Sequence, residues 1–316
     1  MSYVPVSPAL RPDVLHSAER RWRSIRESQP ALAPAVDLQR RLLSLVLDLA
    51  DTLAQGSMPR LSLPPKYLAV KLTRGVPVMT GEPIPLPTAI LAPPMVAMCE
   101  ALAEGGAGDA ARHIGSALSG GTIEPGSLLT ASLTRDQNVI RTGATHRGLS
   151  PDLLWLVGEL AVSPFVHLLQ RTLFSNATGD FGAALDHWDR GHCPACGSWP
   201  ALAECVGGHR TLRCSFCWSA WERTTYSCIY CDESGEKFVT TAPNEEHKDR
   251  RLEVCGACGG YLKSVDRPEL STFPLLSISD IETTDLDIAA MEHGYGRPAM
   301  KDLKGLRAEG KRRAED

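Results

Sequence analysis

The stretch HCPACGSWPALAEC at 192–205, followed by LRCSFCWSAW at 212–221, CIYCDESGE at 228–236 and CGACGGYLK at 255–263, decides how this chain is read. It holds four Cys-x-x-Cys pairs: Cys193/Cys196, Cys214/Cys217, Cys228/Cys231 and Cys255/Cys258. Two intervening residues let a tight turn aim both sulfurs at one ion, with backbone N–H groups left over for the thiolates. Gly197 and Gly259 follow the second cysteine of the first and last pairs, where such a turn calls for positive φ. Asp232 tolerates that conformation in the third pair, whereas Trp218 is atypical in the second. Seventeen residues separate the first two pairs, the spacing of a four-cysteine metal ribbon, and 23 separate the last two, a longer version of the same.

Strand signals lie between the pairs. Residues 201–206 and 209–213 flank Gly207-Gly208, a two-residue hairpin turn. Residues 237–241 and 251–255 read as a second strand pair around a polar loop at 244–249. Each hairpin sits between its own two knuckles, so the first pair is expected to join the second and the third to join the fourth. The expected ligands are therefore Cys193, Cys196, Cys214 and Cys217 at one site and Cys228, Cys231, Cys255 and Cys258 at the other. From first to last cysteine, each ribbon is below the ~40 residues at which a bare apolar core holds a fold. A structural metal supplies ~10–16 kcal/mol of apparent binding free energy and closes that gap. Spacing alone suits iron and zinc equally.

Other readings of the cysteines fare worse. A thioredoxin-like redox pair needs a βαβ pattern, which is missing around all four. Disulfides suit an exported chain, and residues 1–29 have no signal-peptide core. The expected compartment is the cytoplasm. Cys205 lies mid-strand and reads as packing, while His192 and His209 are not needed to complete either sulfur set. Cys99, among Met95, Val96 and Met98, reads as a small buried hydrophobe.

Upstream of about 190 the periodicity is helical. Leu15, Ala18, Trp22 and Ile25 recur at three- and four-residue steps, and Leu42, Leu43, Val46, Leu49, Ala50 and Leu53 form a second stripe opening near Pro34. Six prolines between Gly75 and Pro94 predict a stiff connection, with helical patterns resuming at 95–103 and 109–118. The stretch from Ser150 as N-cap through Phe174 reads as a buried core helix kinked at Pro164, not a membrane span. The expected organisation is multi-domain α+β: an all-α domain at 1–190, four-cysteine modules at 191–224 and 225–267, and a C-terminal region at 268–316. That last region holds a short amphipathic helix at 281–291 and a charged, mobile tail from Arg297.

Charge bears on function. The whole chain of 316 residues carries a net −4. Residues 192–267 hold nine Lys/Arg against ten Asp/Glu, and two divalent ions on eight thiolates would take the module to about −5. A phosphate-binding surface needs the opposite sign, so nucleic acid is not an expected partner. Arg210, Arg213 and Arg223 are expected to offset thiolate charge. Four-sulfur sites are closed, and no general base stands at useful spacing, so no catalytic residue is assigned and no enzyme is expected.

The four quoted cysteine segments, with DLDIAAMEHGYGR at 285–297 and AERRWRSIRE at 18–27, resemble the formate dehydrogenase accessory protein family of the FdhE type. The resemblance implies a helical domain followed by two rubredoxin-like modules, with one iron ion on each four-cysteine set and zinc as the alternative. It implies a cytoplasmic factor needed for active respiratory formate dehydrogenase, binding the catalytic subunit before twin-arginine export. A rubredoxin-like protein passing electrons to that subunit is the second function class.

Overall fold

The computed structural model describes residues 2–56, 63–242 and 249–297. In chain order the first elements are β1 (Tyr3–Val4), α1 (Arg11–Ser28), α2 (Ala33–Gln55), α3 (Pro65–Thr73), α4 (Thr88–Leu91) and α5 (Pro94–Leu102). Next come α6 (Gly108–Ser119), α7 (Pro125–Leu133), α8 (Gln137–His146), α9 (Pro151–Ser175) and α10 (Gly179–Asp186). The cysteine region supplies β2 (Pro200–Val206), β3 (His209–Cys214), β4 (Ala220–Glu222), β5 (Phe238–Thr241), β6 (Arg250–Cys255) and β7 (Tyr261–Asp266). Two short helices, α11 (Leu276–Glu282) and α12 (Thr284–Glu292), follow.

The chain divides into two compact units, and the division does not fall at 190/191. One unit comprises Ala9–Ser62 and Gly81–Asn176; the other comprises Met1–Pro8, Leu63–Thr80 and Ala177–Asp316. The first unit is helical, and most of the predicted stripe is in its core, although Leu15, Leu42 and Ala50 are half-buried and Val14 and Leu47 are buried beside them. Trp22 and Ile25 from α1, Leu43 and Val46 from α2, Met95 and Met98 from α5, and Ile114 from α6 are all buried. Trp22 donates its indole N–H to Gln39 Oε1 at 2.7 Å, which satisfies the one polar atom the ring brings inside. Helix α9 carries Pro164 in its interior and continues to Ser175. It is long and apolar enough to cross a membrane by length and composition, yet half of its most apolar window is buried. Val157, Ala161, Val162, Phe165 and Val166 are wholly inside.

The second unit is built on one seven-stranded sheet of order β1-β4-β3-β2-β7-β6-β5. Gly207 and Gly208 both adopt positive φ, 58° and 86°, as the tight β2–β3 turn requires. Strands β2, β3 and β4 form one antiparallel ribbon, and β5, β6 and β7 form another with the same order. The ribbons join through a parallel pairing of β2 with β7, Ala203 opposite Ser264 and Cys205 opposite Asp266. The two modules expected at 191–224 and 225–267 therefore share a single sheet. Strand β1 adds to the far side of β4, with Tyr3 opposite Trp221. Helices α3 and α10, expected in the helical domain, pack against each other in this sheet-bearing unit.

The described part of the C-terminal region, up to Arg297, packs against the sheet. Helix α12 lays Leu286 and Ala290 on Leu252 and Tyr261 of β6 and β7. Buried Lys263 of β7 donates to Asp287 Oδ2 at 2.6 Å and stands 2.7 Å from Asp280 Oδ1, so α11 and α12 are tied to the sheet by one ammonium. The predicted helix at 281–291 is two helices, broken at Thr283. The charged tail beyond Arg297 and the polar loop at 243–248 lie outside the described residues.

Candidate metal centres

Each knuckle is folded by the same local bond. The N–H of its first cysteine donates to the carbonyl five residues on: Cys193 to Ser198 at 2.9 Å, Cys214 to Ser219 at 2.9 Å, Cys228 to Glu233 at 2.8 Å, and Cys255 to Gly260 at 2.9 Å. The residue after the second cysteine takes positive φ in all four: Gly197 80°, Trp218 65°, Asp232 63° and Gly259 71°. Trp218 adopts this conformation despite its bulk, and its ring meets Phe273 edge-on at 5.2 Å. Contact with a residue 55 positions later is a tertiary reason for the tryptophan that no local rule supplies.

These turns bring the sulfurs together in the expected sets. Cys193, Cys196, Cys214 and Cys217 form one cluster, Cys228, Cys231, Cys255 and Cys258 the other, with all sulfurs of a cluster within 4.8 Å. Between knuckles the spacings are 3.4 Å for Cys193–Cys217, 3.5 Å for Cys196–Cys214, 3.7 Å for Cys228–Cys258 and 3.6 Å for Cys231–Cys255. Four sulfurs at 2.3 Å from a central ion would be ~3.8 Å apart, so both clusters fit a tetrahedral M²⁺ site. None of the eight is in a disulfide. In the first cluster Cys214 Sγ also accepts the N–H groups of Phe216 and Cys217, at 3.4 and 3.3 Å.

Burial pushes the Cys193 and Cys217 thiols well above their ordinary range. At Cys196 burial acts the same way, but hydrogen bonding with Cys193, Cys214, Cys217 and Ser198 outweighs it and holds that thiol well below. Without a cation, such a nest does not carry several negative charges at once. A divalent ion neutralises them, so the donor set fits a metal.

The surroundings of the two clusters differ. Val76–Thr80 runs along the first knuckle: Val78 N–H donates to the Pro194 carbonyl and Met79 N–H to that of Ala195, both at 2.9 Å. Lys71 holds this segment, donating to the Val78 and Thr80 carbonyls at 2.8 and 2.7 Å. All four first-cluster cysteines are buried, whereas Cys231 and Cys258 of the second cluster are in contact with solvent. Gly191, just before the first knuckle, lies against the third: a Cβ there would collide with the Ile229 carbonyl. Gly191→Ala is expected to destabilise the sheet unit by about 1–3 kcal/mol, read as a lower urea midpoint.

Cys205 stands outside both clusters, its sulfur 3.2 Å from Ser264 Oγ. His192 is a packing residue between Trp188 and Trp199, and His209 is exposed, 4.0 Å from Glu222. Cys99 is buried, and burial chiefly, with Glu100, raises its thiol to about 11. The three arginines each meet carboxylates: Arg210 pairs with Glu253, Arg213 with Glu204, and Arg223 with Asp189 and Asp232. Their charge is spent on acids rather than on thiolates.

A crystal structure of the FdhE protein from Pseudomonas aeruginosa matches 95% of this chain and 97% of its own, with a TM-score of 0.56 and 20% identity. Sequence relatives carry the same name. The FdhE homologue of Aquifex aeolicus is 30% identical over 120 residues, 35% of this chain and 40% of the relative. That of Haemophilus influenzae is 34% identical over 113 residues, 34% of this chain and 37% of the relative. The chain is FdhE-like. No family model matches it. The FdhE-like chain spans well under half the length of these first relatives, while that of Haemophilus ducreyi, 29% identical, is matched over 49% of each chain.

Proposed function

We propose that this FdhE-like chain is a metal-binding accessory protein for a formate dehydrogenase and contacts the enzyme's catalytic subunit in the cytoplasm. The observation that carries this reading is the pair of four-sulfur clusters, set in a fold shared with a crystallised FdhE protein. The eight paired cysteines hold the ions, one on each set. Iron is the metal the family resemblance implies, and zinc fits the geometry equally.

The chain acts by contact and has no turnover of its own. An ion held by four cysteines has no vacant position for a substrate, and its chemical contribution is to tie two knuckles together. With the ions in place, the sheet presents a rigid surface for the subunit; without them, the knuckles lose their cross-links. Co-purification of the catalytic subunit with wild-type and Cys228→Ser protein tests the reading. Recovery of the subunit is expected to fall about tenfold or more with the variant, a loss of roughly 1.4 kcal/mol in binding, and cellular formate dehydrogenase activity is expected to fall with it. Equal recovery with intact activity would place the function away from the second ribbon.

A further inference from the structure

We infer that the two clusters have different tasks: the first is a closed structural site, and the second is an exchange site whose Cys231 and Cys258 receive an incoming thiol ligand. This rests on the metal-binding reading proposed above and adds a division of labour to it.

The ribbons are an internal repeat, so each position in one has a counterpart in the other. Both clusters are built by the same turns and have nearly the same sulfur spacings. What differs is what lies over them. In the first ribbon, a Cβ on Gly197 would stand 3.1 Å from Pro77 Cγ, and Trp218 is covered by Phe273. At the counterparts of these two positions, Asp232 is exposed and Gly259 has nothing within 4 Å of a Cβ. Val76–Thr80 and the stretch around Phe273 go to the first cluster; at the second, Gly296 pairs along the fourth knuckle, donating to the Gly259 carbonyl at 2.9 Å, and still leaves Cys258 exposed.

The less buried cysteines are placed for exchange: Cys258 is exposed, and Cys231 lies at the boundary between half-buried and exposed. Cys231 and Cys258 are the second cysteines of their knuckles, one in each, while Cys228 and Cys255 stay buried and keep a grip from both sides. An attacking thiol can therefore replace one sulfur while three remain. Each replacement forms one sulfur–metal bond, breaks another, and moves one proton from the incoming thiol to the displaced cysteine; no oxidation state changes. At the first cluster the same attack must wait for Lys71 and its segment to open, a local unfolding step.

The test uses the full chain loaded with zinc and shown to hold two equivalents. Excess EDTA is added, and samples are quenched over time with N-ethylmaleimide and mapped by peptide mass spectrometry. One equivalent should leave at least about tenfold faster than the other. Cys228, Cys231, Cys255 and Cys258 should be labelled with the fast phase, and the four first-cluster cysteines with the slow one. Cys205, half-buried and in neither cluster, is the labelling reference. Cys258→Ser should abolish the fast phase. Release of both equivalents at one rate, or earlier labelling of the first cluster, overturns the inference while the metal reading stands. A chain that takes up no zinc or iron overturns both.

Discussion

Cys214→Ser protein, purified under reducing conditions, is expected to hold less than one equivalent of metal and to have lost the structure of its sheet-bearing unit. Cys214 is wholly buried, and its Sγ accepts two backbone N–H groups. A hydroxyl at that position is a poor fourth ligand, and the ~10–16 kcal/mol of apparent metal binding at stake exceeds or matches the whole stability of a typical domain. The damage should spread, because β2 of the first ribbon pairs with β7 of the second and Gly191 lies against Ile229. The helical unit keeps its own core, so far-UV circular dichroism should retain the signal of α1, α2 and α5–α9. Elemental analysis beside the spectrum decides the matter. A Cys214→Ser protein with one full equivalent on an intact second cluster would show that the ribbons fold separately despite their common sheet.

Glu204→Ala is expected to cost about 3–5 kcal/mol, a large share of the stability of the unit. Glu204 and Arg213 are fully buried and paired, and the carboxylate also takes the Ser271 N–H at 3.0 Å and the Ser271 hydroxyl. Arg213 in turn donates to the Ser271 carbonyl at 2.7 Å, fastening the segment before α11 to the sheet. Burial lowers the guanidinium below its ordinary range, and Glu204 works against that shift. Removing the acid strands a cation with no water to solvate it. The double variant Glu204→Ala/Arg213→Met should recover much of the loss, since it leaves no unpaired charge. Urea titrations of the full chain, followed by the tryptophans of the sheet unit, measure both. A single variant within 1 kcal/mol of wild type would mean that the pair does not hold this segment.

Hydrogen-bond rules that operate within six residues were readable without coordinates. The positive φ at Gly197, Asp232 and Gly259, the Gly207-Gly208 hairpin and much of the buried faces of α1 and α2 follow from local chain geometry and periodicity; Trp218 does not. Sulfur pairing was readable too, because a hairpin of limited length can return its end only to its own beginning. Strands β4 and β7 were harder to see: β4 has three residues, and β7 carries the charged Lys263, buried only because Asp280 and Asp287 come to meet it. The same holds for α3 and α10, whose helical periodicity says nothing about which unit they join.

From the sequence alone came the four knuckles, the grouping of eight cysteines into two sets and the helical character of the first half. Tertiary structure decided that the ribbons share one sheet, that Lys71 and the Val76–Thr80 segment belong with the first cluster, and that among the described residues the second cluster is the less buried. The reason is range. Spacing and periodicity report on bonds closed within one turn or one hairpin, whereas the first knuckle packs on Pro77, more than a hundred residues earlier in the chain.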